Sequence, residues 1–596
     1  MSGVRGTASS RPVAGVWRLA AVGGLAVLVL LLHGRCVRYG LFLDDHAHFR
    51  QLQECDWSLA GLTSACRLEL VGGAVELWWM PQCTLRFFRP VAFGLMKLTY
   101  TLTGWNPAAM HVASLLWHLA ACTLLMLLLR RLGAALWLAW AVAGLFAIHP
   151  GHVATVQWIA CQTEIMVTAL LLGAALCFGR FRGWPGFGGD WLRSVRGTVP
   201  VPAVSRARAG WAVASVILFA LALGCRENAV VFPLVMAAME PLVWRRQVRT
   251  ALVLYAVLVA VVVAYLAVRS AMLGGAALPP RPYVVSPGDP DFVRFVFDKV
   301  WYYLLGEFLL VPCIPIGGLP WFQARPLLFY GSAAGVGLGV AVIWVRHRRQ
   351  PGGLIGPAWL LGFMLPALPV FASPHHLYLP GVGWAVTATL LIRWIGGPTA
   401  ARGAARWRRA GAGLVAAGTA AVFGLVTYEL GRAMGTAEAV EDCVTEEIAA
   451  APSGLKSGDR LYVANLPLLA HYARLAVEER TGLRGLRLIP LTWAPRLLGP
   501  ASPTELTRID ERTIEVTVAG DRYFSGSIAQ LIHEAAGRDI PDEVDRLADL
   551  GLRVQVLRRD AAGIESLRFT FDRPLSDPGL HLFWGSRVRL AYEVPP

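Results

Sequence analysis

The chain has 596 residues, of which 56% are hydrophobic and 16% are charged, and its mean hydropathy is +0.52. A soluble protein carries about 25% charged residues, so this composition excludes an ordinary soluble protein and predicts a membrane protein. The net charge of +16 is concentrated in short arginine clusters that follow apolar runs. No nucleic-acid-binding motif accompanies these clusters, which excludes a nucleic-acid partner.

The apolar runs, taken in chain order, predict about eleven transmembrane helices. The first covers residues 14–33 and has no small-residue cleavage site after it, so it is predicted to be a retained anchor rather than a signal peptide. The other predicted spans cover residues 111–129, 134–148, 152–178, 211–224, 230–244, 251–268, 327–345, 354–371, 379–395 and 410–428. Residues 90–102 are too short to span and residues 292–316 are interrupted by Pro312 and Pro315, so both are predicted to be interfacial or re-entrant.

The arginine clusters predict the orientation, because cytoplasmic loops of membrane proteins carry an excess of Lys and Arg. With a cytoplasmic N-terminus, every cluster between the predicted helices faces the cytoplasm. The first outer loop (residues 34–106), a second outer loop (residues 271–326) and the C-terminal residues 431–596 then lie outside. We expect an integral protein of a bacterial inner or plasma membrane.

From residue 431 onward the composition becomes that of a globular domain. Strands are predicted at residues 460–465 and 486–491 around a helix at 466–481, which is a βαβ pattern. Further strands are predicted at 513–518, 552–557, 566–572 and 587–594, with a helix at 527–536. The predicted fold is a polytopic α-helical membrane domain over residues 1–430 and a soluble α/β or α+β domain over residues 431–596.

Four of the ten cysteines, namely Cys36, Cys55, Cys66 and Cys83, fall in the first outer loop. If that loop is extracytoplasmic, one or two disulfides are compatible with the pattern. Four small semi-buried thiols are the alternative.

The first candidate cluster of chemically active residues is Asp44-Asp45-His46-Ala47-His48, soon after the first helix. Adjacent carboxylates repel one another, so they are tolerated where they bind a cation, activate a nucleophile or lie in water. A solvated loop is therefore the alternative to a site.

Three further polar clusters lie on the same predicted side of the membrane. They are His149 and His152 followed by Glu164, then Arg226-Glu227-Asn228, and then His375-His376 before Tyr378. Glu164 interrupts an apolar helix and is expected to face a cavity, and the histidine pair can hold an anion when protonated. His149 and His152 lie at a helix boundary, where cap residues are the common alternative. The shared face predicts one active cavity.

The ordered set of motifs resembles a known family. The motifs are Phe42-Leu43-Asp44-Asp45, Phe88-Arg89-Pro90, Gly104-Trp105-Asn106-Pro107, His149-Pro150-Gly151-His152 through Glu164, Cys225-Arg226-Glu227-Asn228 and Leu377-Tyr378-Leu379-Pro380-Gly381. Over about residues 11–395 the chain resembles the GT-C glycosyltransferases, and most closely the membrane half of the transmembrane-and-tetratricopeptide O-mannosyltransferases. The tetratricopeptide repeats are absent.

This resemblance implies an inverting hexosyltransferase that moves a sugar from a polyprenyl-phosphate donor to a protein, glycan or lipid acceptor outside the cytoplasm. It implies three catalytic candidates, Asp44, Asp45 and Glu164, with Asp44 slightly favoured as the base. It implies that the donor phosphate is bound by Arg89, Arg226, His375 and His376. The remaining site candidates are His48, His149, His152, Glu227 and Tyr378. No cofactor is certain, and a divalent cation (Mg²⁺ or Mn²⁺) on Asp45 and Glu164 is left open.

Two departures from the family pattern keep other functions open. Gln162 stands where the family has an Arg, and His375-His376 replaces a Glu-Arg pair. An inactive scaffold or assembly protein of the same fold is therefore the alternative function. A transporter is a weaker alternative, because the sequence has no pair of broken helices in two matching halves.

Overall fold

The computed structural model describes residues 11–80, 82–183, 206–238, 240, 248–274, 283–311, 318–396, 402–451, 454–495, 503–525, 540–586 and 589–591. Its α-helices cover Arg11–His33, Asp45–Glu54, Leu59–Ser64, Pro90–Leu102, Pro107–Arg131, Leu136–Ala147, Val153–Gln157, Gln162–Arg182, Arg206–Leu223, Phe232–Ala237, Val248–Leu273, Phe292–Leu309, Gly318–Gln323, Pro326–His347, Pro351–Met364, Gly381–Gly396, Arg402–Ala449 and Ala473–Thr481. Short 3₁₀ turns at Pro150–His152, Ile159–Cys161, Glu227–Val231 and Pro374–Leu377 connect several of them.

Six helical segments of the described residues are long and apolar enough to cross a membrane. They are Leu19–Arg38, Pro107–Arg131, Ile159–Arg182, Ala251–Leu273, Pro326–His347 and Ala410–Ala449. Large apolar side chains on them face outward, including Leu31 (71% exposed), Val263 (60%) and Leu425 (64%). In water these side chains would be buried, so the outward apolar surface faces lipid. The chain is an integral membrane protein.

The predicted count of about eleven spans is not confirmed. Leu136–Ala147 and Pro150–Gln157 meet at a 52° bend and form at most one broken span, and four other apolar helices have only 10–17 residues. The bend follows from Pro150, which has no backbone N–H to continue the helix. The predicted span 152–178 begins as the short helix Val153–Gln157 and continues only from Gln162. Residues 312–317 and 241–247 lie outside the described residues.

Local sequence signals set the ends of the helices that carry the candidate site. Asn106 accepts a hydrogen bond from the Ala108 N–H (2.9 Å), and Pro107 occupies the first helical position, which is the expected N-terminal pair. Residues 90–102 form one helix, Pro90–Leu102, whose buried Lys97 donates to the carbonyl oxygens of Leu52 and Cys55. That helix therefore fastens the short helix that begins at Asp45 to the bundle.

The C-terminal residues form two sheets. A four-stranded sheet has the order β11 (Arg589–Ala591), β10 (Leu580–Ser586), β3 (Arg460–Ala464) and β4 (Arg487–Pro490). Strands β3 and β4 are parallel and flank the helix Ala473–Thr481, so the predicted βαβ unit is present. The five-stranded antiparallel sheet has the order β5 (Thr504–Arg508), β6 (Thr513–Val518), β9 (Gly563–Phe571), β8 (Leu552–Asp560) and β7 (Glu543–Arg546).

Several predicted strands are confirmed and several elements were missed. The predicted strand at 513–518 matches β6, whereas β5, β7 and β10 were not predicted. Strands β5 and β7 are short and largely exposed, so they lack the apolar alternation that marks a strand. The predicted strand at 587–594 is represented by β11 alone, and the predicted helix at 527–536 lies outside the described residues.

The first outer loop and the sheet domain share one hydrophobic core. Strands β1 (Arg67–Val71) and β2 (Cys83–Arg86) of the loop and the segment between them contribute buried side chains, among them Leu70 and Trp78, to the core that also contains β3, β4 and β9. The Trp78 indole N–H donates to the Leu491 carbonyl oxygen (3.0 Å). The loop and the domain therefore lie on the same side of the bundle.

The helix Arg402–Ala449 continues through residue 430, where the domain boundary was predicted.

The four cysteines of the first outer loop are free thiols. Cys36, Cys66 and Cys83 are buried, and no disulfide links any of the described cysteines. Of the two alternatives, the structure therefore has the semi-buried thiols.

Candidate active site

Asp44 and Asp45 lie at the start of the helix Asp45–Glu54, and their carboxylates have different environments. The Asp45 carboxylate is 2% exposed and accepts two backbone hydrogen bonds, from Ala160 N (2.7 Å, Oδ1) and from Phe42 N (3.2 Å, Oδ2). Asp44 Oδ1 is buried and has no hydrogen-bond partner among the described residues. Each oxygen of Asp45 thus accepts a backbone hydrogen bond that stabilises the turn, whereas Asp44 has one oxygen without a hydrogen-bond donor among the described residues.

Burial raises the pKa of Asp44 from 3.8 to about 7, and the nearby Arg89 guanidinium limits that rise. Burial and the neighbouring Asp44 carboxylate hold the pKa of Asp45 well above its usual range. A general base works best when its pKa is close to the operating pH. Asp44 therefore has both the free oxygen and the proton affinity of a base.

Glu164 lies in the first turn of the helix Gln162–Arg182 and forms a buried ion pair with Arg226. Arg226 Nε is 2.8 Å from Glu164 Oε1, and Arg226 Nη1 donates to Thr163 Oγ1 (3.1 Å). Asn228 Nδ2 donates to Glu164 Oε2 (3.3 Å). Both oxygens of Glu164 are therefore occupied, which makes Glu164 an anchor for Arg226 rather than a free base.

Arg89 forms the second ion pair, with Glu227. Its Nε donates to Glu227 Oε2 (3.0 Å), and Phe88 N donates to Glu227 Oε1 (3.1 Å). Within the described part of the chain, the two terminal nitrogens of Arg89 make no hydrogen bond to the protein. Two parallel N–H donors on a planar group match a phosphate.

These groups converge around the 3₁₀ turn Ile159–Cys161. Cys161 is buried and interacts electrostatically with Asp44, Asp45, Glu164 and Arg226. The turn carries the Ala160 N–H that binds Asp45 and leads directly into the helix that carries Glu164. The acidic pair, Glu164 and Arg226 therefore belong to one cluster on the side of the bundle that carries the sheet domain.

His375 and His376 lie next to this cluster. The two imidazoles are within electrostatic range of Arg226 and Arg89. His376 Nδ1 is hydrogen-bonded to the Tyr303 hydroxyl (2.8 Å), and His375 Nδ1 is 2.6 Å from Ser373 Oγ. Burial, together with the neighbouring positive charges, holds the pKa of both histidines well below 6.5. These lowered pKa values disfavour the protonated rings on which the predicted binding of an anion depends, and the binding of the donor phosphate by His375 and His376 stays a prediction.

His149, His152 and Tyr378 form a separate buried cluster around the broken helix. His152 Nδ1 is hydrogen-bonded to the Phe146 carbonyl oxygen (2.8 Å). His118 binds the Ala147 carbonyl oxygen through Nε2 (3.0 Å) and the Tyr378 hydroxyl through Nδ1 (2.6 Å). These contacts satisfy carbonyl groups that the end of a helix leaves without partners. Of the two alternatives for His149 and His152, the geometry favours the cap.

The site candidate His48 and the family departure Gln162 contact groups outside the acidic pair. His48 is buried with its ring 5.0 Å from Phe93 in an edge contact, and burial lowers its pKa to about 4. Gln162 donates to Met110 O (3.2 Å) and Ser114 Oγ (2.8 Å) on the neighbouring helix. Gln162 therefore contacts the neighbouring helix, whereas Glu164 is paired with Arg226.

The carboxylates of Asp45 and Glu164, which the sequence left open as ligands of a divalent cation, are both bound by groups of the protein. Each has both oxygens engaged by protein donors, and the described residues contain no group of three or more His, Cys, Asp or Glu side chains arranged to hold a metal ion. Mg²⁺ and Mn²⁺ require several free oxygen ligands. The binding of a divalent cation by Asp45 and Glu164 stays a prediction.

Sequence reasoning missed two residues that hold the acidic pair. Trp158 Nε1 donates to the Phe42 carbonyl oxygen (3.2 Å), and Glu441 accepts from Leu43 N (2.8 Å). Trp158 lies within the motif that runs from His149 to Glu164, but no role of its own was predicted for it from the sequence. Glu441 lies nearly 400 positions from Asp44, in a segment that the sequence assigned to the soluble domain, so no local signal identified it.

No protein-family model matches this chain, and no curated protein matches it. Among solved structures, the chain is similar to ArnT from Cupriavidus metallidurans bound to undecaprenyl phosphate, with 15% identity, a TM-score of 0.37, and coverage of 80% of this chain and 86% of that one. It is also similar to the archaeal oligosaccharyltransferase AglB from Archaeoglobus fulgidus in complex with an inhibitory peptide and a dolichol-phosphate. That similarity has 14% identity and a TM-score of 0.42, and it covers 80% of this chain and 65% of AglB.

Proposed function

We propose that the protein is a membrane glycosyltransferase that transfers a sugar from a polyprenyl-phosphate donor to an acceptor hydroxyl or amide. The observation that carries this proposal is the free Asp44 Oδ1 within electrostatic range of the Arg89 guanidinium. A base next to a phosphate-binding cation is what glycosyl transfer from a lipid phosphate requires. Undecaprenyl phosphate and dolichol phosphate, which are bound in the two similar structures, are the class of lipid that we propose.

In the proposed reaction, Asp44 takes the proton of the acceptor. The acceptor oxygen or nitrogen then forms a bond to the anomeric carbon of the sugar. The bond from that carbon to the phosphate oxygen breaks, and the polyprenyl phosphate leaves with its electron pair. Attack opposite the leaving group inverts the anomeric configuration.

Arg89 and Arg226 stabilise the leaving phosphate in this proposal, because negative charge develops there as the bond breaks. Glu227 and Glu164 hold the two guanidinium groups in place through their Nε atoms. A neutral His375 ring contributes a hydrogen bond at most. No step requires a metal ion.

The orientation of the site also belongs to this proposal. The first outer loop and the sheet domain lie on one side of the bundle, and the arginine clusters of the sequence assign the opposite side to the cytoplasm. We infer that transfer takes place on the extracytoplasmic side of a bacterial plasma membrane.

The test is donor turnover by purified protein in lipid nanodiscs. Radiolabelled polyprenyl-phosphate hexoses are supplied with peptide, glycan and lipid acceptors, and transfer of label out of the donor lipid is measured. We expect wild-type protein to transfer label and Asp44→Asn to lose it, while the exposed carboxylate control Glu54→Gln keeps it. Equal turnover by Asp44→Asn and wild type would remove Asp44 as the base, and no turnover of any donor by the wild type would favour the scaffold alternative.

A further inference from the structure

The long helix Arg402–Ala449 contacts the segment before Asp44 at three points. The Tyr39 hydroxyl donates to the Gly431 carbonyl oxygen (2.7 Å), and Gly40 N donates to Glu438 Oε1 (3.0 Å). Leu43 N donates to Glu441 Oε2 (2.8 Å). The three helix positions are separated by seven and then three residues, so they share one face of the helix. The segment therefore lies along a single stripe of this helix.

Leu43 adopts a left-handed backbone conformation with φ of +51°. This conformation costs a residue with a Cβ atom about 1–2 kcal/mol, so neighbouring contacts must hold it. The hydrogen bond from Leu43 N to Glu441 lies directly at the strained residue, and Asp44 is the next residue. On the other side, Asp45 is fastened to Ala160. Asp44 is thus held between two anchors, on two different elements.

Glu441 is 2% exposed, and its second oxygen has no partner among the described residues. A buried carboxylate with one hydrogen bond is costly for the fold. Its neighbour Asp442 is different, because its side chain is 45% exposed and pairs with Arg480 (2.6 Å). A buried carboxylate at position 441 does not stabilise the helix itself. It does stabilise the strained turn, because it accepts the hydrogen bond of Leu43 N.

We propose that Glu441 is a positioning residue that holds the turn at Leu43 and thereby aims the Asp44 carboxylate at the acceptor. The helix that leads into the sheet domain then sets the geometry of the base. This inference rests on the proposed function for its kinetic part, and its structural part can be measured without any activity.

The experiment combines hydrogen–deuterium exchange with kinetics on full-length protein in nanodiscs. Glu441→Ala removes the acceptor of the Leu43 N–H, whereas Glu441→Gln keeps an amide oxygen in its place. Asp442→Ala is the matched control, because it removes one negative charge from the adjacent position but removes no hydrogen bond that the segment before Asp44 makes to the helix.

We expect exchange in the peptide that contains residues 40–46 to rise about tenfold or more in Glu441→Ala only, since a hydrogen bond to a charged group is lost. In the same variant kcat is expected to fall about tenfold or more with the donor KM within about twofold, because ground-state binding of the donor does not use the turn. Glu441→Gln and Asp442→Ala are expected to behave like the wild type.

If hydrogen–deuterium exchange and kcat are both unchanged in Glu441→Ala, the positioning role is overturned. The proposed function would still hold in that case, as long as the wild type transfers the sugar. Equal losses in Glu441→Ala and Glu441→Gln would also overturn it, because the charge and not the hydrogen bond would then matter. Faster exchange in Glu441→Ala in a protein that turns over no donor would instead support the anchor and contradict the proposed function.

Discussion

Replacing Asp44 and Asp45 one at a time by asparagine separates a base from an anchor. Asp44→Asn removes the proton acceptor but disturbs no hydrogen bond to Oδ1, because that atom has no partner among the described residues. We expect kcat to fall about 10²–10⁴-fold, the usual contribution of a general base. The midpoint of thermal unfolding should stay close to that of the wild type.

Asp45→Asn should give the opposite balance. Both oxygens of Asp45 accept backbone N–H groups, from Ala160 and Phe42, so an amide NH₂ must face one of these donors. A buried donor left without a partner costs about 1–3 kcal/mol. We expect a lower unfolding midpoint and a partial loss of kcat that follows the loss of folded protein.

The assay is donor turnover measured beside thermal unfolding in the same nanodisc preparation. A stable but inactive Asp44→Asn together with a destabilised, partly active Asp45→Asn is the predicted pattern. A stable Asp45→Asn that has lost all turnover, beside an active Asp44→Asn, would refute the assignment and make Asp45 the base.

Three further predictions concern the charges around Asp44. Because the pKa of Asp44 is raised to about 7 and the base must be ionised, the kcat of the wild type should fall as pH drops below about 7 and level off above it, and a pH profile that is flat between pH 5 and 8 would contradict this. Arg226→Met should destabilise the protein by about 3–5 kcal/mol, since Glu164 keeps a buried charge without its cation, and adding Glu164→Gln should restore much of the loss in an unfolding assay. Arg89→Lys keeps the charge beside Glu227 but loses the planar pair of donors that is proposed to stabilise the leaving phosphate. Both kcat and kcat/KM for the donor should therefore fall about tenfold, and an unchanged kcat/KM would show that Arg89 does not act on the donor phosphate.

The sequence was sufficient for the features that depend on local pattern. The βαβ unit and strand β6 were predicted from apolar alternation, and the structure has both. The motif residues Asp44, Glu164 and Arg226 were identified from their position beside apolar helices, where charge is costly. The structure brings these residues together, while their roles stay proposals.

Features that depend on contacts between residues far apart in the chain could not be predicted from local sequence patterns. The count of eleven spans is not confirmed, because four of the apolar helices among the described residues have only 10–17 residues. The different environments of Asp44 and Asp45 depend on the Ala160 N–H, which is 115 positions away along the chain. Adjacent identical residues carry no sequence signal that tells which one is fastened and which one is free.

The most direct test of the account is the position of a bound donor lipid. A cryo-electron microscopy structure of the Asp44→Asn protein with a polyprenyl-phosphate sugar should place the phosphate within hydrogen-bond distance of the terminal nitrogens of Arg89. The anomeric carbon should then face residue 44. A phosphate bound on the opposite side of the bundle, or remote from both Arg89 and residue 44, would contradict the account.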